Sequence, residues 1–310
     1  MSYGPTRIPT KGACIYCGKT GEALTDEHFL PLALGGQHIL EDASCLACAD
    51  ITKKFEQDVA RDMWGDARIS YDAPSRRKKA RPTHIRLRDP DNPNRQVRVA
   101  YRDYPAPLIF YKMNRAGFLE GLPETTDISG AWQFSAVMDD KKADDFERKF
   151  DIKLTAKFRH VPDSFGRLLA KIGYGQILCN LNPDDFRPIC LPYILGLKKN
   201  LSYIVGGSFD IPPPNEGQGY ILRTLAFGDL NRTILLAEIR LYANNHTPIY
   251  HVMVGDAVGE AATSAIWEKL GDVPASPMSL LHSTPDDRSK PPHWIPHAWP
   301  LPGQTIGRYF

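Results

Sequence analysis

Cysteine is scarce in this chain, with six in 310 residues, too few for the disulfide scaffold of a small secreted domain. Long hydrophobic runs are missing as well. No apolar stretch approaches the roughly 20 residues a bilayer span needs, so no membrane is expected among its partners. The opening MSYGPTRIPTKGAC holds no hydrophobic segment of the kind that directs secretion, and a cytoplasmic location is expected. Nor does one charge dominate. The 38 Lys+Arg and 36 Asp+Glu leave a formal charge of +2, which by itself names no polyanionic partner. No internal repeat is present. With 42% hydrophobic and 24% charged residues, the composition excludes a disordered tail or a fibrous protein. The length suits one large or two ordinary domains, either of which can bury a substantial core.

The few cysteines are unevenly placed. Cys14, Cys17, Cys45 and Cys48 fall in two Cys-x2-Cys pairs separated by 27 residues. Four thiolates bind zinc tetrahedrally, and each pair can supply two ligands from one tight turn, so a structural zinc site is expected. Gly18 follows the first pair, as a knuckle turn favours. Cys179 and Cys190 sit in apolar surroundings and read as core residues. Charge is uneven too. Between Arg76 and Arg98 nine Lys/Arg face two acids, a local +7 within a chain of +2.

Periodicity supplies the elements. Ile51, Phe55, Val59 and Met63 recur at helical spacing, which predicts a helix ending near Gly65. The segment DAPSRRKKARP then reads as a linker. His84–Arg88 and Gln96–Arg102 alternate with period two around a Pro/Asn/Asp-rich turn, predicting a hairpin with Ile85, Leu87, Val97, Val99 and Tyr101 on one face. Arg86, Arg88, Arg98 and Arg102 then share the other. Further on, helices are expected over Asp139–Phe150, Asp163–Asn180 and Gly259–Leu270, and a second hairpin over Arg232–Tyr242 and Thr247–Gly255. Glu238, Arg240 and His251 place polar groups in that hairpin, more as surface residues than as a hydrolytic site. The boundaries expected are a flexible lead-in at 1–12, a zinc-knuckle module at 13–70, a basic linker at 71–82, a mixed α/β region at 83–273, and a Pro-rich extended segment at 274–310. That last segment holds eight of the 26 prolines.

Between the two knuckles stand Asp26-Glu27-His28, Pro31 and Gly35-Gly36, and the second knuckle opens the helical pattern. This arrangement resembles the His-containing hairpin of HNH endonucleases, in the branch with two zinc knuckles. The resemblance covers about residues 14–60 and is silent on residues 104–310. It implies an α+β protein: a treble-clef, ββα-metal module with a structural zinc, followed by a mixed α/β region. It also implies metal-dependent hydrolysis of nucleic-acid phosphodiesters, with DNA the expected substrate. Histidine has the near-neutral pKa needed to activate water, and a divalent ion would neutralise the scissile phosphate and the leaving 3′ oxygen.

In the resembling family the hairpin histidine is the general base, which falls on His28. The preceding acid is a metal ligand, which falls on Glu27, with Asp26 as an alternative or as an orienter of the imidazole. Asp42 is the candidate for holding the histidine. The family places His or Asn directly after the second knuckle, where this chain has Ala49. Two outcomes therefore stand: a ligand shifted to Asp50, with Thr52 or Glu56 a turn further on, or a degraded site in a non-catalytic, zinc-stabilised nucleic-acid-binding protein. Mg²⁺ or Mn²⁺ suits the oxygen ligands Glu27, Asp26 and Asp50. His38 reads as a solvated loop histidine. Arg76, Arg77, Lys78, Lys79, Arg81, Arg86, Arg88 and Arg98 are the expected phosphate contacts, which position nucleic acid without reading its sequence. A double-strand cut by a single active site calls for two chains or two events, and no oligomeric state is indicated.

Overall fold

A computed structural model describes residues 5–75, 78–207, 212–270 and 305–307 of the chain. Its architecture is mixed α/β, with the four cysteines gathered in the N-terminal region. The first knuckle is a turn in which the Gly18 N–H donates to the Cys14 carbonyl at 2.8 Å, with Gly18 at φ +72°. Strands β2 (Leu24–Glu27) and β3 (His38–Cys45) then run antiparallel, and α1 (Leu46–Gln57) starts directly after Cys45. Gly35 and Gly36 turn the chain between the two strands. Gly35 caps the short turn Leu32–Leu34 at φ +89°, and a Cβ on Gly36 would stand 1.8 Å from the Leu30 carbonyl oxygen, so both positions need glycine.

The lead-in expected to be flexible is in part a strand. Thr6–Ile8 forms β1 and pairs in parallel with β3, held where Arg7 reaches Asp26 at 2.9 Å and Glu41 at 3.0 Å. The helix also outruns its expected span. It continues from α1 through a π-helical stretch, Asp58–Met63, in which the Trp64 N–H donates to Val59 five residues back, and resumes as α2 (Gly65–Ser70). Gly65 therefore opens a helix instead of ending one. The π turn aims Trp64 inward, where its indole N–H donates to the Ile109 carbonyl at 2.6 Å and its ring meets Phe110, Phe165 and Tyr242.

The basic stretch is pinned at Arg81. Arg81 donates to the carbonyls of Ala73, at 2.6 Å, and Pro74, so this part of the expected linker is fastened to the turn before it. The hairpin follows as β4 (His84–Arg88) and β5 (Gln96–Ala100), with Leu87 and Val99 buried and Arg86 directly opposite Arg98. Tyr101 leaves the ladder for a short turn, Tyr101–Asp103, because its hydroxyl is drawn to Asp66 at 2.8 Å. A two-stranded ribbon, β6 (Leu108–Lys112) with β7 (Gln133–Val137), precedes α3 (Asp140–Phe150), which Asp139 caps by accepting from the Lys142 N–H.

At the centre lies α4 (Pro162–Ile177), in which every residue from Leu168 to Ile177 is buried. An antiparallel sheet packs on one side of it. Its strands β8 (Arg187–Pro188), β9 (Val205–Gly207), β10 (Tyr220–Gly228), β11 (Arg232–Leu241), β12 (Tyr250–Val258) and β13 (Thr305–Gly307) lie in the order β13-β10-β11-β12-β8, with β9 also on β12. The short helix α5 (Leu191–Ile194) packs beside α4, and α6 (Glu260–Leu270) follows β12. Gly173 lets α4 approach this sheet, since a Cβ there would touch Val252 and Ala237 at 3.0 and 3.1 Å. The opposite side of α4 meets the N-terminal region: the Tyr174 hydroxyl donates to the Ile15 carbonyl at 2.7 Å, and Gly175 lies flat against Phe29. β10 has no counterpart among the expected elements, and β12 starts at Tyr250, later than expected, and continues to Val258. Of the Pro-rich segment expected at 274–310, only Thr305–Gly307 is described, as a strand on β10; the rest of it lies outside the described residues.

Candidate active site

Two clusters hang on α1, one at its start and one near its end. At the start, the ligand atoms of Cys14, Cys17, Cys45 and Cys48 all lie within 4.8 Å of one another. The Cys17 and Cys45 sulfurs are 3.8 Å apart, matching the edge of a tetrahedron whose Zn–S bonds are about 2.3 Å. The donor set and its spacing are thus compatible with a structural zinc, which all four cysteines would hold in a closed site. Cys190, by contrast, is buried far along the chain, and the Cys179 thiol donates to the Gly175 carbonyl.

Two turns further along α1 a cleft of about 460 Å³ opens between this helix, the end of β2 and α2. Ala49, Thr52, Lys53 and Glu56 line it from α1, recurring at helical spacing along one face. Arg68, Pro74 and Ser75 add to the lining, while Thr25, Asp26 and Glu27 from β2 and His28 directly after it form another wall. His28 is half-buried on this wall. Beneath it runs an ion network with its own carbonyl as one member. The Lys171 ammonium, from α4, donates to the His28 carbonyl at 2.7 Å, sits 2.5 Å from Glu27 Oε1, and pairs with Glu56.

This lysine is wholly enclosed, with side-chain exposure of 0% against 8% for Glu27 and 23% for Glu56, so the pair with Glu27 is a buried one. Burial works to lower the Lys171 pKa, but Glu27 and Glu56 together outweigh it, and the ammonium is held charged above its ordinary range. Burial pushes the Glu27 carboxyl up, against the pull of Lys171.

The other expected site residues go to different places. Asp26 falls in a bulge of β2, where its carboxylate accepts from the Asp42 backbone N–H at 3.3 Å and pairs with Arg7. The Asp42 N–H first, then Arg7, hold that carboxyl below the usual range. Asp42 itself is exposed at φ +44°, and the contact it makes to the site is through its backbone to Asp26. Asp50 is exposed and one residue off the α1 face that lines the cleft. His38 is half-buried at the start of β3, hydrogen-bonded to the Tyr220 hydroxyl at 3.3 Å, and burial lowers its pKa. Lys53, Arg68 and Lys171 are the cations that sequence reasoning passed over. Arg68 is fixed by donating to the carbonyls of Ala33 at 2.8 Å and Ala60 at 2.7 Å.

Residues 14–64 match the family described as HNH endonuclease. The HNH segment thus spans both knuckles, His28 and all of α1, and ends at Trp64, where the chain enters the core of the body. No curated protein and no solved structure matches the chain.

The three carboxylates expected to hold a second metal, Glu27, Asp26 and Asp50, do not converge. Among the described residues, the cysteine quartet is the one group of three or more Cys, His, Asp or Glu side chains close enough to share an ion. Glu27 is taken by Lys171, Asp26 by Arg7 and the Asp42 N–H, and Asp50 stands off the cleft. A catalytic Mg²⁺ or Mn²⁺ on these three carboxylates does not fit this arrangement.

Of the expected phosphate contacts, Arg86, Arg88 and Arg98 are exposed on the outward face of the hairpin, and Lys79 is exposed just before it. Arg81 is instead spent on holding Ala73 and Pro74, beside Asp72. Arg76, Arg77 and the Lys78 side chain lie outside the described residues. On the body's sheet, half-buried Arg223 and buried Glu238 and His251 face one another across β10, β11 and β12 as a polar row, and Arg240 donates to the carbonyls of Pro212, Pro213 and Asn245.

Proposed function

We propose that the HNH segment hydrolyses phosphodiester bonds of nucleic acid, with DNA as substrate and His28 as the general base. The observation that carries this reading is the position of His28. It lines an open cleft inside a segment that matches the HNH endonuclease family, with Lys53 and Arg68 on the surrounding walls. In the reaction, His28 takes a proton from water as the water oxygen bonds to phosphorus; the bond to the leaving 3′ oxygen breaks, and that oxygen acquires a proton from solvent. Lys53 and Arg68 bring positive charge to the wall where the phosphate's charge increases. The basic run begins at Arg76, immediately after cleft-lining Ser75, and the exposed arginines of the hairpin would extend the track along the phosphate backbone. Arg86 directly opposite Arg98 supports this use, because like charges across a ladder cost stability unless something anionic faces them.

A second reading has its own observation. Ala49 occupies a cleft-facing position and offers no ligand, as expected if the segment keeps its zinc fold and binds nucleic acid without cutting it. Incubating supercoiled plasmid with the parent protein and with His28→Ala, each confirmed folded and zinc-loaded, separates the two. Nicking lost in the variant is the expected result. Equal nicking by both would remove His28 from the mechanism, and retardation without nicking by the parent would favour the binding protein.

A further inference from the structure

We propose that the Lys171 ammonium is the resident cation beneath the HNH cleft: it fills, from the body's central helix, the place that a divalent ion held by Glu27 and Glu56 would occupy, so that hydrolysis at His28 requires no added divalent metal. This deepens the nuclease reading and rests on it, except for the statement about cation occupancy, which stands or falls by itself.

Lys171 is saturated with acceptors. An ammonium has three donors, and Lys171 has three acceptors around it: Glu27 Oε1, Glu56 Oε1 and the His28 carbonyl. Charge is matched as well. Two carboxylates from β2 and α1 meet one cation here, and the enclosed member, Glu27, has its charge matched by a group with no exposed surface. A divalent ion entering between the same oxygens would have to approach a like charge within bonding distance of both. Lys171 is also enclosed: its side chain has no exposed surface, and α4, which carries it, is held on both sides, by Gly173 against Val252 and Ala237 and by Tyr174 and Gly175 against Ile15 and Phe29.

Lys171 does not line the cleft, so it touches no substrate. It acts as a positioning residue. Its hydrogen bond to the His28 carbonyl fixes the backbone from which the imidazole projects, and its hold on Glu27 and Glu56 keeps both carboxylates turned away from the role of metal ligand. The positive charge that meets the phosphate is left to Lys53 and Arg68 on the walls. One consequence is that the active site is shared between the HNH segment and the body, because residue 171 lies outside residues 14–64.

The test is a Mn²⁺ titration of the full-length, zinc-loaded protein, followed by the loss of the free-ion EPR signal. The parent is expected to bind no Mn²⁺ at concentrations up to tenfold over protein. Lys171→Met, which keeps the stem and removes the charge, is expected to bind one Mn²⁺ per chain, and adding Glu27→Gln to it is expected to abolish that binding. Lys171→Arg should stay closed to the ion. One Mn²⁺ bound by the parent and lost in Glu27→Gln would overturn the proposal, as would a folded Lys171→Met that binds none. Should Lys171→Met fail to fold, the parent and its Glu27→Gln variant decide alone. In a second arm, plasmid nicking is measured in metal-depleted buffer with zinc content verified. A rate within twofold of that in Mg²⁺ is expected, and a tenfold or greater dependence on Mg²⁺ contradicts the proposal. Absence of nicking under every condition would count against the nuclease reading, while the Mn²⁺ titration would still judge the lysine.

Discussion

The two clusters on α1 solve the same problem, gathering groups of like charge at one point, by opposite means. At the helix start, four thiols within 4.8 Å come from two short turns separated by one hairpin, and the spacing suits a zinc ion that the chain must acquire. Near its end, two carboxylates meet a cation that belongs to the chain itself, from a residue more than a hundred positions away. A site filled from outside can be assembled locally, because the ion does the gathering. A site filled from inside waits for the fold, and in exchange it couples the HNH segment to the body. The difference also sets what each cluster depends on: metal supply for the first, docking of α4 for the second.

The largest effect should come from breaking the first cluster. Cys45→Ser removes a ligand at the junction of β3 and α1, and structural zinc sites of this kind contribute about 10 kcal/mol or more of folding free energy. Loss of the one zinc per chain by elemental analysis, with the HNH segment becoming sensitive to protease, is the expected outcome. Retained zinc would show that three thiols suffice.

Breaking the second cluster should cost less. Lys171→Ala leaves buried Glu27 without its partner, which costs about 3–5 kcal/mol. Denaturant melts should recover most of that loss when Glu27→Gln is added, and no recovery would mean that the two residues are not coupled. The pH dependence has a definite sign. Because the folded state holds Lys171 protonated above its unfolded pKa of about 10.4, its contribution is complete below that pH and is lost as pH rises through the higher folded value. Lys171→Met should therefore lose less stability than the parent between neutral pH and pH values above about 10. A parent and variant with parallel alkaline melts would argue against this.

Smaller still is the effect of disturbing the docking itself. A methyl on Gly175 would lie 2.0 Å from Phe29 Cβ, so Gly175→Ala forces α4 away from the HNH segment, at about 1–3 kcal/mol by chemical denaturation. If this variant keeps full stability and full nicking, close docking of α4 is unnecessary to the site.

The smallest stability change belongs to the hairpin. Arg86→Gln removes one of two facing arginines and should leave the fold unchanged or a few tenths of a kcal/mol more stable. Its effect lies in binding: the slope of log Kd against log salt for a DNA duplex should fall by about one. An unchanged slope would take Arg86 off the nucleic-acid track.

What the sequence made legible was whatever depends on neighbours along the chain. The cysteine spacing, the glycines at 35 and 36, the hairpin face shared by Arg86, Arg88 and Arg98, and the apolar face of α4 all follow from periodicity or from turn chemistry. What depends on contacts across the chain stayed hidden. Arg7 reaching Asp26 and Glu41 turns an apparent lead-in into a strand, and the π turn at Asp58–Met63 carries the helix past Gly65. Lys171 did leave a signal. It stands among Leu168, Leu169, Ala170, Ile172 and Tyr174 in a run of α4 that is buried on every side, and a charged residue there must have a buried partner. Which partner could not be read from α4 alone, since Glu27 and Glu56 belong to the distant HNH segment.

If His28 cuts what the basic surface holds, binding and cutting should separate at that residue. The direct measurement follows one labelled DNA duplex with the parent and with His28→Ala, reading affinity by gel retardation and cleavage under single-turnover conditions. The expected result is a Kd unchanged within about twofold and cleavage slowed by about 10²-fold or more. Cleavage at equal rates by both proteins, or binding by both with cleavage by neither, would contradict it.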